Sequence, residues 1–375
     1  MKVEFTHFKK EFKNLKPYLI RSLIGVGNSG EYVFGKELEK FEQNVKKFLN
    51  AKYVLGVGNW TEGMIILCKA MGLKKNDEII TVSNSFIATC GAIAYAGCKP
   101  ILVDIGDDLN INEKLIEKKI NLKTKAIMPV HLSGIPANLD KISKIAKKNK
   151  VFLIEDAAHA FGAKYKNKHV GTIGDVGIFS LHPRKNFHVF GDGGLMVTNN
   201  KALYKKMLLL RNHGLKNRDN SIIWGTNSRL DNLQASFGNI MISRINGWNK
   251  RQLSIANYYS KHLKNFVKVP IYNTKISNPT FHQYIIRTRF RDKLKKFLKN
   301  KGIETAIHYP IPIHKQKAYI NTFGKISLKK TEIYSKEILS LPMHHSLNKL
   351  QLKYVVKMIK LFFDLKDKKN KSINY

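Results

Sequence analysis

The stretch Phe179-Ser180-Leu181-His182-Pro183-Arg184-Lys185-Asn186, with the turn Gly191-Asp192-Gly193-Gly194 after it, determines how the centre of the chain folds. The apolar runs at 176–180 and 193–198 each predict a short buried strand. Lys185 therefore lies on the irregular loop between two strands. Two simpler interpretations stay open: Lys185 is one of many exposed lysines, and the glycines form only a tight turn between strands.

Strands and helices alternate on both sides of this loop. Further apolar runs predict strands at 53–58, 78–82, 100–105, 126–132 and 151–155. Apolar residues at helical spacing predict helices between them, including 37–49, 61–71 and 139–148. This order predicts an α/β fold with a mainly parallel sheet covered by helices, which binds ligands at the carboxyl ends of its strands.

Composition changes along the chain, and we divide the chain accordingly. A helix to about residue 263, a strand at 281–290 and a further helix predict a smaller C-terminal domain. The predicted parts are an N-terminal arm at 1–20, a large domain at 21–245, a small domain at 246–365 and a basic tail at 366–375.

The formal net charge is +39, and a field of that sign attracts polyanions. Only ten of the 66 basic residues are arginine, however, and the lysines are spread along the whole chain. We therefore predict no specific nucleic-acid binding. Neither a membrane span of ~20 apolar residues nor a signal peptide is recognisable, so the predicted compartment is the cytoplasm. The three cysteines have no metal-ligand spacing and are predicted to be buried or reduced thiols.

Three features point to one cofactor. The strand at 53–58 ends in glycine and leads into a helix, whose free backbone N–H groups form a phosphate or carboxylate site at 58–63. Asp156 ends another strand, where a ligand would lie, although it could instead cap a helix. Pyridoxal phosphate requires such a phosphate site, a carboxylate for its ring nitrogen and a lysine for its aldehyde. Lys185 would be that lysine, whereas His159 taken alone is more typical of a hydrogen-bonded core histidine.

The motifs that carry these residues resemble one family. They are Gly58-Asn59-Trp60-Thr61-Glu62-Gly63, Glu155-Asp156-Ala157-Ala158-His159-Ala160, residues 179–186 with the turn at 191–194, Gly225-Thr226-Asn227-Ser228-Arg229-Leu230-Asp231-Asn232-Leu233-Gln234-Ala235, His308-Tyr309-Pro310-Ile311-Pro312-Ile313-His314 and Ser340-Leu341-Pro342-Met343-His344. From about residue 32 to residue 350, the chain resembles the DegT/StrS-type nucleotide-sugar aminotransferases.

The resemblance implies the fold type I architecture of pyridoxal-phosphate-dependent transferases. This is a large domain with a mainly parallel seven-stranded sheet and a smaller C-terminal α/β domain, and it works as a homodimer. Lys185 would form the internal Schiff base with pyridoxal 5′-phosphate. The remaining residues implied to bind the cofactor are Asp156 at the ring nitrogen, His159 against the ring, Trp60 through its backbone, Thr61 and Ser180 at the phosphate, and Asn227 from the other subunit.

The implied reaction moves an amino group from glutamate, or glutamine, to a keto group of a nucleotide-linked deoxy-hexose for polysaccharide or glycoconjugate biosynthesis. The residues predicted to contact the substrate are Phe86, His182, Arg184, His308, Tyr309 and His314. Trp60 stands where the family usually has glycine, and Arg184 where it usually has a small or uncharged residue. The segment around Asn227 resembles enzymes that aminate C3, and His182-Pro183 resembles those that act at C4; C3 is slightly favoured.

Three alternatives accompany this prediction. A sugar dehydratase of the same fold would use pyridoxamine phosphate, but those enzymes resemble this family with histidine in place of Lys185. A regulatory or polyanion-binding protein without catalysis is supported only by the charge. His308 and His314 could form a metal pair, but Pro310 and Pro312 prevent a regular helix that presents both, so no metal is predicted.

Overall fold

The computed structural model describes the backbone of residues 1–372 and the side chains as far as residue 366. The helices are α1 Phe8–Ser29, α2 Lys36–Leu49, α3 Trp60–Ala70, α4 Ala88–Tyr95, α5 Leu139–Lys148, α6 Lys201–Leu210, α7 Asn232–Ile242, α8 Ile245–Leu263, α9 Arg291–Asn300, α10 Lys317–Phe323, α11 Lys329–Glu337 and α12 Lys349–Ser372. The strands are β1 Tyr53–Val57, β2 Glu78–Val82, β3 Lys99–Val103, β4 Thr124–Ile127, β5 Phe152–Asp156, β6 Lys164–Tyr165, β7 Lys168–His169, β8 Val176–Ser180, β9 Gly194–Thr198, β10 Leu215–Asn217, β11 Asn220–Ser221, β12 Ser277–Asn278, β13 Tyr284–Arg287 and β14 Ile338–Leu341.

A seven-stranded sheet forms the centre of the molecule, in the order β1-β9-β8-β5-β4-β2-β3. β9 is antiparallel to both of its neighbours, β1 and β8. The remaining neighbours pair in parallel. The fold class predicted from the sequence, including the mainly parallel seven-stranded sheet, is confirmed.

Successive residues of β9 contribute to opposite faces of the sheet, as the two-residue period of a strand requires. Leu195 and Val197 pack with α2 and α7 on one face, where Phe41 and Met241 are fully buried. Met196 packs with α3 and α6 on the other face. Because helices cover both faces, the strands read as nearly continuous apolar runs in the sequence.

A second core lies under the C-terminal part of the chain. It joins α8, α9 and α12 to the antiparallel pair β13 and β14, with Tyr259 and Tyr284 fully buried. Val3 also belongs to this core and pairs with Ile303, so the first residues of the chain pack against its last third. The division into an arm and two domains stays a prediction.

The N-terminal helix is longer than the arm predicted at 1–20, since α1 continues to Ser29. Leu15 and Leu19 are buried against the large core. Val26 is buried as well, whereas six apolar side chains of α1 are exposed: Phe8, Phe12, Tyr18, Ile20, Leu23 and Ile24. One side of α1 therefore packs in the molecule, while another presents apolar surface to solvent.

At the other end, the backbone of α12 continues to Ser372. The residues predicted as a basic tail therefore begin in a helix, and residues 373–375 lie outside the described part of the chain. The three cysteines, Cys68, Cys90 and Cys98, are buried as free thiols. Within residues 1–372, no helix combines the length and the apolar character that crossing a membrane requires.

Candidate active site

A cavity of about 800 Å³ opens at the carboxyl ends of the parallel strands. Its walls come from α3, the end of β5, the loop between β8 and β9, and two loops of the C-terminal part. The structure brings most of the predicted site residues into this cavity: Trp60, Thr61, Phe86, Asp156, His159, Ser180, His182, Arg184, Lys185, His308 and Tyr309. The location agrees with the rule that ligands bind beyond the carboxyl ends of strands in α/β sheets.

Lys185 lies on the loop between the antiparallel strands β8 and β9, and its side chain is half-buried. Its backbone N–H donates to the carbonyl of His182 at 2.8 Å, which closes a turn at this point of the loop. Burial lowers the pKa of its amine to about 8, although the Asp156 carboxylate acts in the opposite direction. A neutral amine is therefore accessible near neutral pH, as a nucleophilic lysine requires.

Asp156 is the last residue of β5, and its carboxylate is buried. It accepts hydrogen bonds from the Ala158 N–H at 3.2 Å and from the Thr89 hydroxyl at 3.3 Å. Burial raises its pKa to about 6, and these bonds and the Lys185 charge oppose the rise. The following residues form turns, so Asp156 does not cap a helix. A positively charged group in the cavity would favour its ionised form.

His159 is buried beside Asp156 and faces the same cavity. Its Nδ1 accepts a hydrogen bond from the Ser133 N–H at 3.3 Å, so the neutral ring carries its hydrogen on Nε2. Burial holds its pKa well below the ordinary value, and the Lys185 charge acts in the same direction. The ring of His282 lies 4.7 Å away. His159 therefore presents an uncharged ring to the cavity.

The N-terminus of α3 forms the end of the cavity that suits an anion. Asn59 caps the helix by accepting from the Glu62 N–H at 2.9 Å. Gly194 passes directly beside this turn, because a Cβ there would lie 2.7 Å from the carbonyl carbon of Asn59 and 2.9 Å from the backbone nitrogen of Trp60. Thr61 and Ser180 line the same cavity. Backbone N–H groups and two hydroxyls at a helix N-terminus fit a phosphate group.

Trp60 occupies the first position of α3 but contributes mainly to the core. Its side chain is 6% exposed and packs in the cluster that contains Met64 and Leu67. The indole Nε1 is buried and has no hydrogen-bond partner among the described residues. The bulk of the tryptophan is thus accommodated in the hydrophobic core on that face of the sheet.

Two predicted residues lie outside the cavity. His314 is buried elsewhere: its Nδ1 pairs with the Ser83 hydroxyl at 2.7 Å and its Nε2 with the Glu332 carboxylate at 3.1 Å. Both ring nitrogens of His314 are therefore engaged within the protein, and its predicted contact with the substrate stays a prediction. Asn227 is exposed and pairs through its backbone with Asn212, away from the cavity of its own chain.

The outer part of the cavity contains the other predicted substrate contacts. His308 pairs with the Ser340 hydroxyl at 2.8 Å, and burial lowers its pKa to about 4. The rings of Tyr309 and Phe86 lie 6.0 Å apart. Arg184 is exposed at the cavity wall and is the one arginine among the described residues that line it. This part of the cavity therefore combines aromatic surface, a neutral histidine and one permanent cation.

The sequence did not identify several residues of the cavity wall. Five of them are histidines, which join the predicted His159, His182 and His308: His7, His188, His282, His344 and His345. Glu11 lies among them, with His7 from directly before the same helix and His345 from the opposite end of the chain. Sequence separation hides this grouping, although His188 lies only three residues after Lys185 and His344 ends the Ser340-Leu341-Pro342-Met343-His344 motif.

Residues 15–360 match the DegT/DnrJ/EryC1/StrS aminotransferase family. The chain belongs to this family. Its predicted enzyme class, aminotransferase, is confirmed, and so is the predicted cofactor at the level of the family, whose aminotransferases use pyridoxal phosphate. The cavity fits that cofactor, because it unites the anion site at α3 with a buried carboxylate and a lysine of lowered pKa.

Similar proteins extend the family comparison over nearly the whole chain. A "pleiotropic regulatory protein" of Geobacillus stearothermophilus is 37% identical over 368 residues, which are 97% of this chain and 99% of that protein. The dTDP-3-amino-3,6-dideoxy-alpha-D-galactopyranose transaminase of Aneurinibacillus thermoaerophilus is 37% identical, covering 88% of this chain and 91% of the transaminase. The crystal structure of DesV from S. venezuelae in complex with a ketimine intermediate has a TM-score of 0.93 at 32% identity, covering 96% and 98% of the two chains.

Proposed function

We propose that this DegT-family aminotransferase moves an amino group from glutamate to a keto group, at C3 rather than C4, of a nucleotide-linked deoxy-hexose. The observation that carries the proposal is the convergence of Lys185, Asp156 and the α3 N-terminus on one cavity. When bound, pyridoxal phosphate supplies an electron sink that stabilises negative charge at the amino acid's α-carbon. The product would serve polysaccharide or glycoconjugate biosynthesis.

Each of the central residues has a role that follows from its chemistry. The Asp156 carboxylate would hold a proton on the ring nitrogen of the cofactor, because an anion at that point stabilises the protonated ring. Lys185 would bind the cofactor aldehyde and, once displaced by the amino acid, move a proton between the α-carbon and the cofactor. His159 would pack against the ring, while Thr61 and Ser180 would donate hydrogen bonds to the phosphate.

The outer cavity suits a substrate that is both polar and anionic. A volume of about 800 Å³ is large for an amino acid alone and falls within the range of pockets for extended ligands. Arg184 would attract the diphosphate of a nucleotide sugar or the carboxylates of glutamate. His308 and Tyr309 would contact the sugar. The name of the Aneurinibacillus relative, a transaminase of a dTDP-3-amino sugar, supports both the nucleotide-linked substrate and position C3.

The enzyme would work as a homodimer in which each active site uses two chains. Asn227 lies outside the cavity of its own chain, so it would complete the phosphate site of the partner. Trp224, three residues before it, is 92% exposed, and α1 exposes a row of apolar side chains. Large exposed apolar groups of this kind mark association surfaces.

The direct test is the substitution Lys185→Ala, with turnover measured on 3-keto and 4-keto nucleotide sugars in the presence of glutamate. Wild-type protein should show visible absorbance from the bound cofactor and should aminate a sugar of the 3-keto set. Lys185→Ala should lose both the absorbance and the transamination, whereas Lys40→Ala, at an exposed position of α2, should retain them. Transamination that persists in Lys185→Ala would exclude the proposed mechanism.

A further inference from the structure

Glu11 is an unusual carboxylate, because α1 carries it into the wall of the active-site cavity. It is 3% exposed and accepts two short hydrogen bonds. Its Oε1 lies 2.7 Å from Nε2 of His188, and its Oε2 lies 2.7 Å from Nε2 of His7. Nε2 of His345 lies 3.7 Å from the same Oε2. A buried carboxylate is tolerated only when it is paired in this way.

His188 connects Glu11 to the lysine loop. Its other ring nitrogen, Nδ1, lies 3.1 Å from the backbone carbonyl oxygen of Lys185. A carbonyl and an ionised carboxylate can only accept hydrogen bonds, so each must receive a hydrogen from the ring. The two bonds form together only if both ring nitrogens of His188 donate, so this ring links Glu11 to the Lys185 carbonyl.

The charge state of Glu11 agrees with its role as an acceptor of hydrogen bonds from the histidine rings. Burial alone would raise the pKa of Glu11, but the hydrogen bonds from His188 and His7 hold that pKa well below its usual range. Glu11 is consequently ionised at neutral pH. A charge-assisted hydrogen bond between buried partners is shorter and stronger than a neutral one, which the 2.7 Å separation from His188 reflects.

The loop is also fixed on its other side. The side-chain amide of Asn186 donates to the carbonyl of Phe161 at 2.8 Å and to Asn249 at 3.1 Å. The Lys185 backbone thus lies between an amide anchor on the large core and the His188–Glu11 pair on α1. Without the His188–Glu11 pair, the carbonyl of Lys185 would be free to rotate. The direction of the lysine side chain would then change with it.

A metal ion does not account for the cluster as well as hydrogen bonding does. His7, Glu11 and His345 could in principle supply three ligands. Two ligands of a tetrahedral Zn²⁺, each ~2.0–2.1 Å from the ion, lie roughly 3.3 Å from each other. The 2.7 Å separation of His7 and Glu11 is shorter than that and has the length of a direct hydrogen bond.

We infer that Glu11 is a positioning residue of the active site, which acts through His188 to hold the backbone of Lys185 in the orientation that transamination needs. The inference rests on the proposed function, since it concerns the lysine of that same reaction. It assigns a role in catalysis to the N-terminal helix, although neither Glu11 nor His188 is assigned a contact with the reacting atoms.

The test is a double-mutant cycle on the holoenzyme with Glu11→Ala, His188→Leu and the double variant. The measured quantity is the single-turnover rate with glutamate, read from the loss of visible absorbance and divided by the cofactor bound. Each single variant should lower this rate about tenfold or more, because small displacements of a reacting group are costly. The double variant should be no slower than the slower single variant, since Glu11 acts through His188.

Two conservative variants separate positioning from general destabilisation. His188→Asn keeps an N–H near the Lys185 carbonyl and should recover most of the rate lost in His188→Leu. Glu11→Gln keeps the shape of the side chain without its charge, so its rate should fall between those of wild type and Glu11→Ala. If Glu11→Ala folds poorly, a rate of Glu11→Gln below that of wild type still tests the role of Glu11. His262→Leu is the matched control, because His262 contacts Tyr258 on α8 outside the cavity. Its rate should equal that of wild type.

Several outcomes would overturn the inference. Losses that multiply in the double variant would show that the two residues act independently. If both single variants keep the wild-type rate per bound cofactor, Glu11 has no positioning role. The inference would also be wrong if the wild-type protein held one tightly bound Zn²⁺ per chain and His7→Ala lost both the Zn²⁺ and the activity. Failure of the proposed function would look different, because wild-type protein would then show neither cofactor absorbance nor transamination.

Discussion

Lys185 must lose a proton before its nitrogen can attack the aldehyde of the cofactor. An ordinary lysine, with a pKa of about 10.4, is almost fully protonated at pH 7. Burial lowers the pKa of Lys185 to about 8, which increases the neutral fraction at pH 7 by more than two orders of magnitude. The local environment of one side chain therefore makes the amine reactive.

This shift predicts how the apoprotein captures pyridoxal phosphate. The neutral fraction of Lys185 rises as the pH passes upward through its pKa, so the rate of capture should rise from pH 6.5, reach half its maximum near pH 8 and level off above pH 9. Stopped-flow absorbance after mixing apoprotein with cofactor measures this rate. A rate that is flat over this range, or that still climbs steeply near pH 10, would contradict a lowered pKa.

At the level of single residues, local sequence predicted the inner site better than the outer one. Asp156 ends β5, and Lys185 lies on the short loop between β8 and β9, so the neighbouring strands limit where both residues can lie. His314 follows two prolines in a loop, and no local pattern shows which way such a side chain points; Ser83 and Glu332 determine it instead. Glu11 was missed because its partner His188 is 177 residues away.

At the level of elements, the lysine loop depends on the strand that precedes it. Gly177 in β8 has no room for a side chain, because an added Cβ would overlap the backbone of Gly171. That backbone cannot move easily, since the Glu155 carboxylate accepts from the N–H groups of Gly171, Ile173 and Gly174, each at 2.7 Å. A buried carboxylate thus holds the segment against the strand.

The substitution Gly177→Ala should therefore lower the free energy of unfolding by about 1–3 kcal/mol, the usual cost of overpacking a core. Denaturant unfolding monitored by circular dichroism measures it. Gly247 supplies the matched control, because it lies inside α8 with nothing within 4 Å of an added Cβ. Gly247→Ala should raise the stability by about 0.5–1 kcal/mol through its helix propensity. Equal effects at the two positions would contradict the packing argument.

Periodicity predicted the elements of the sheet and its helices closely. The predicted strand at 78–82 and the predicted helix at 139–148 have the bounds that the structure gives them. The strand at 281–290 is shorter in the structure, at Tyr284–Arg287, because only this part pairs with β14. The sequence predicted only an arm at 1–20, because the exposed apolar residues of α1 blur its amphipathic pattern. The antiparallel direction of β9 depends on long-range pairing that local sequence does not specify.

At the level of the whole molecule, the proposed homodimer has to bring two strongly basic chains together. The formal net charge of each chain is +39, so their repulsion opposes association and weakens with added salt. The exposed apolar side chains of α1 and Trp224 would supply the opposing hydrophobic contribution. The dimer should accordingly be more stable at 0.5 M than at 0.05 M NaCl.

A double substitution tests this surface. Leu23→Glu with Trp224→Glu replaces two exposed apolar side chains, at 55% and 92% exposure, by carboxylates that a partner would have to bury. Sedimentation equilibrium should then give the mass of one chain, and activity should fall with dimer content, because Asn227 would no longer reach the partner site. Leu122→Glu, at a position that is 97% exposed, should leave the mass unchanged. A fully active double variant that stays dimeric would exclude this interface.

The place of β9 between β1 and β8 also has a consequence for biosynthesis. β1 is complete at Val57, whereas its hydrogen-bonding partner begins at Gly194, which also packs against the turn at Asn59. At ~5–20 residues per second, a ribosome takes on the order of ten to thirty seconds to add the chain between them. During that interval neither edge of the emerging first strand is paired, and unpaired strand edges of this kind aggregate or recruit chaperones. A nascent chain therefore cannot assemble the phosphate site until the strand after the lysine loop has left the exit tunnel.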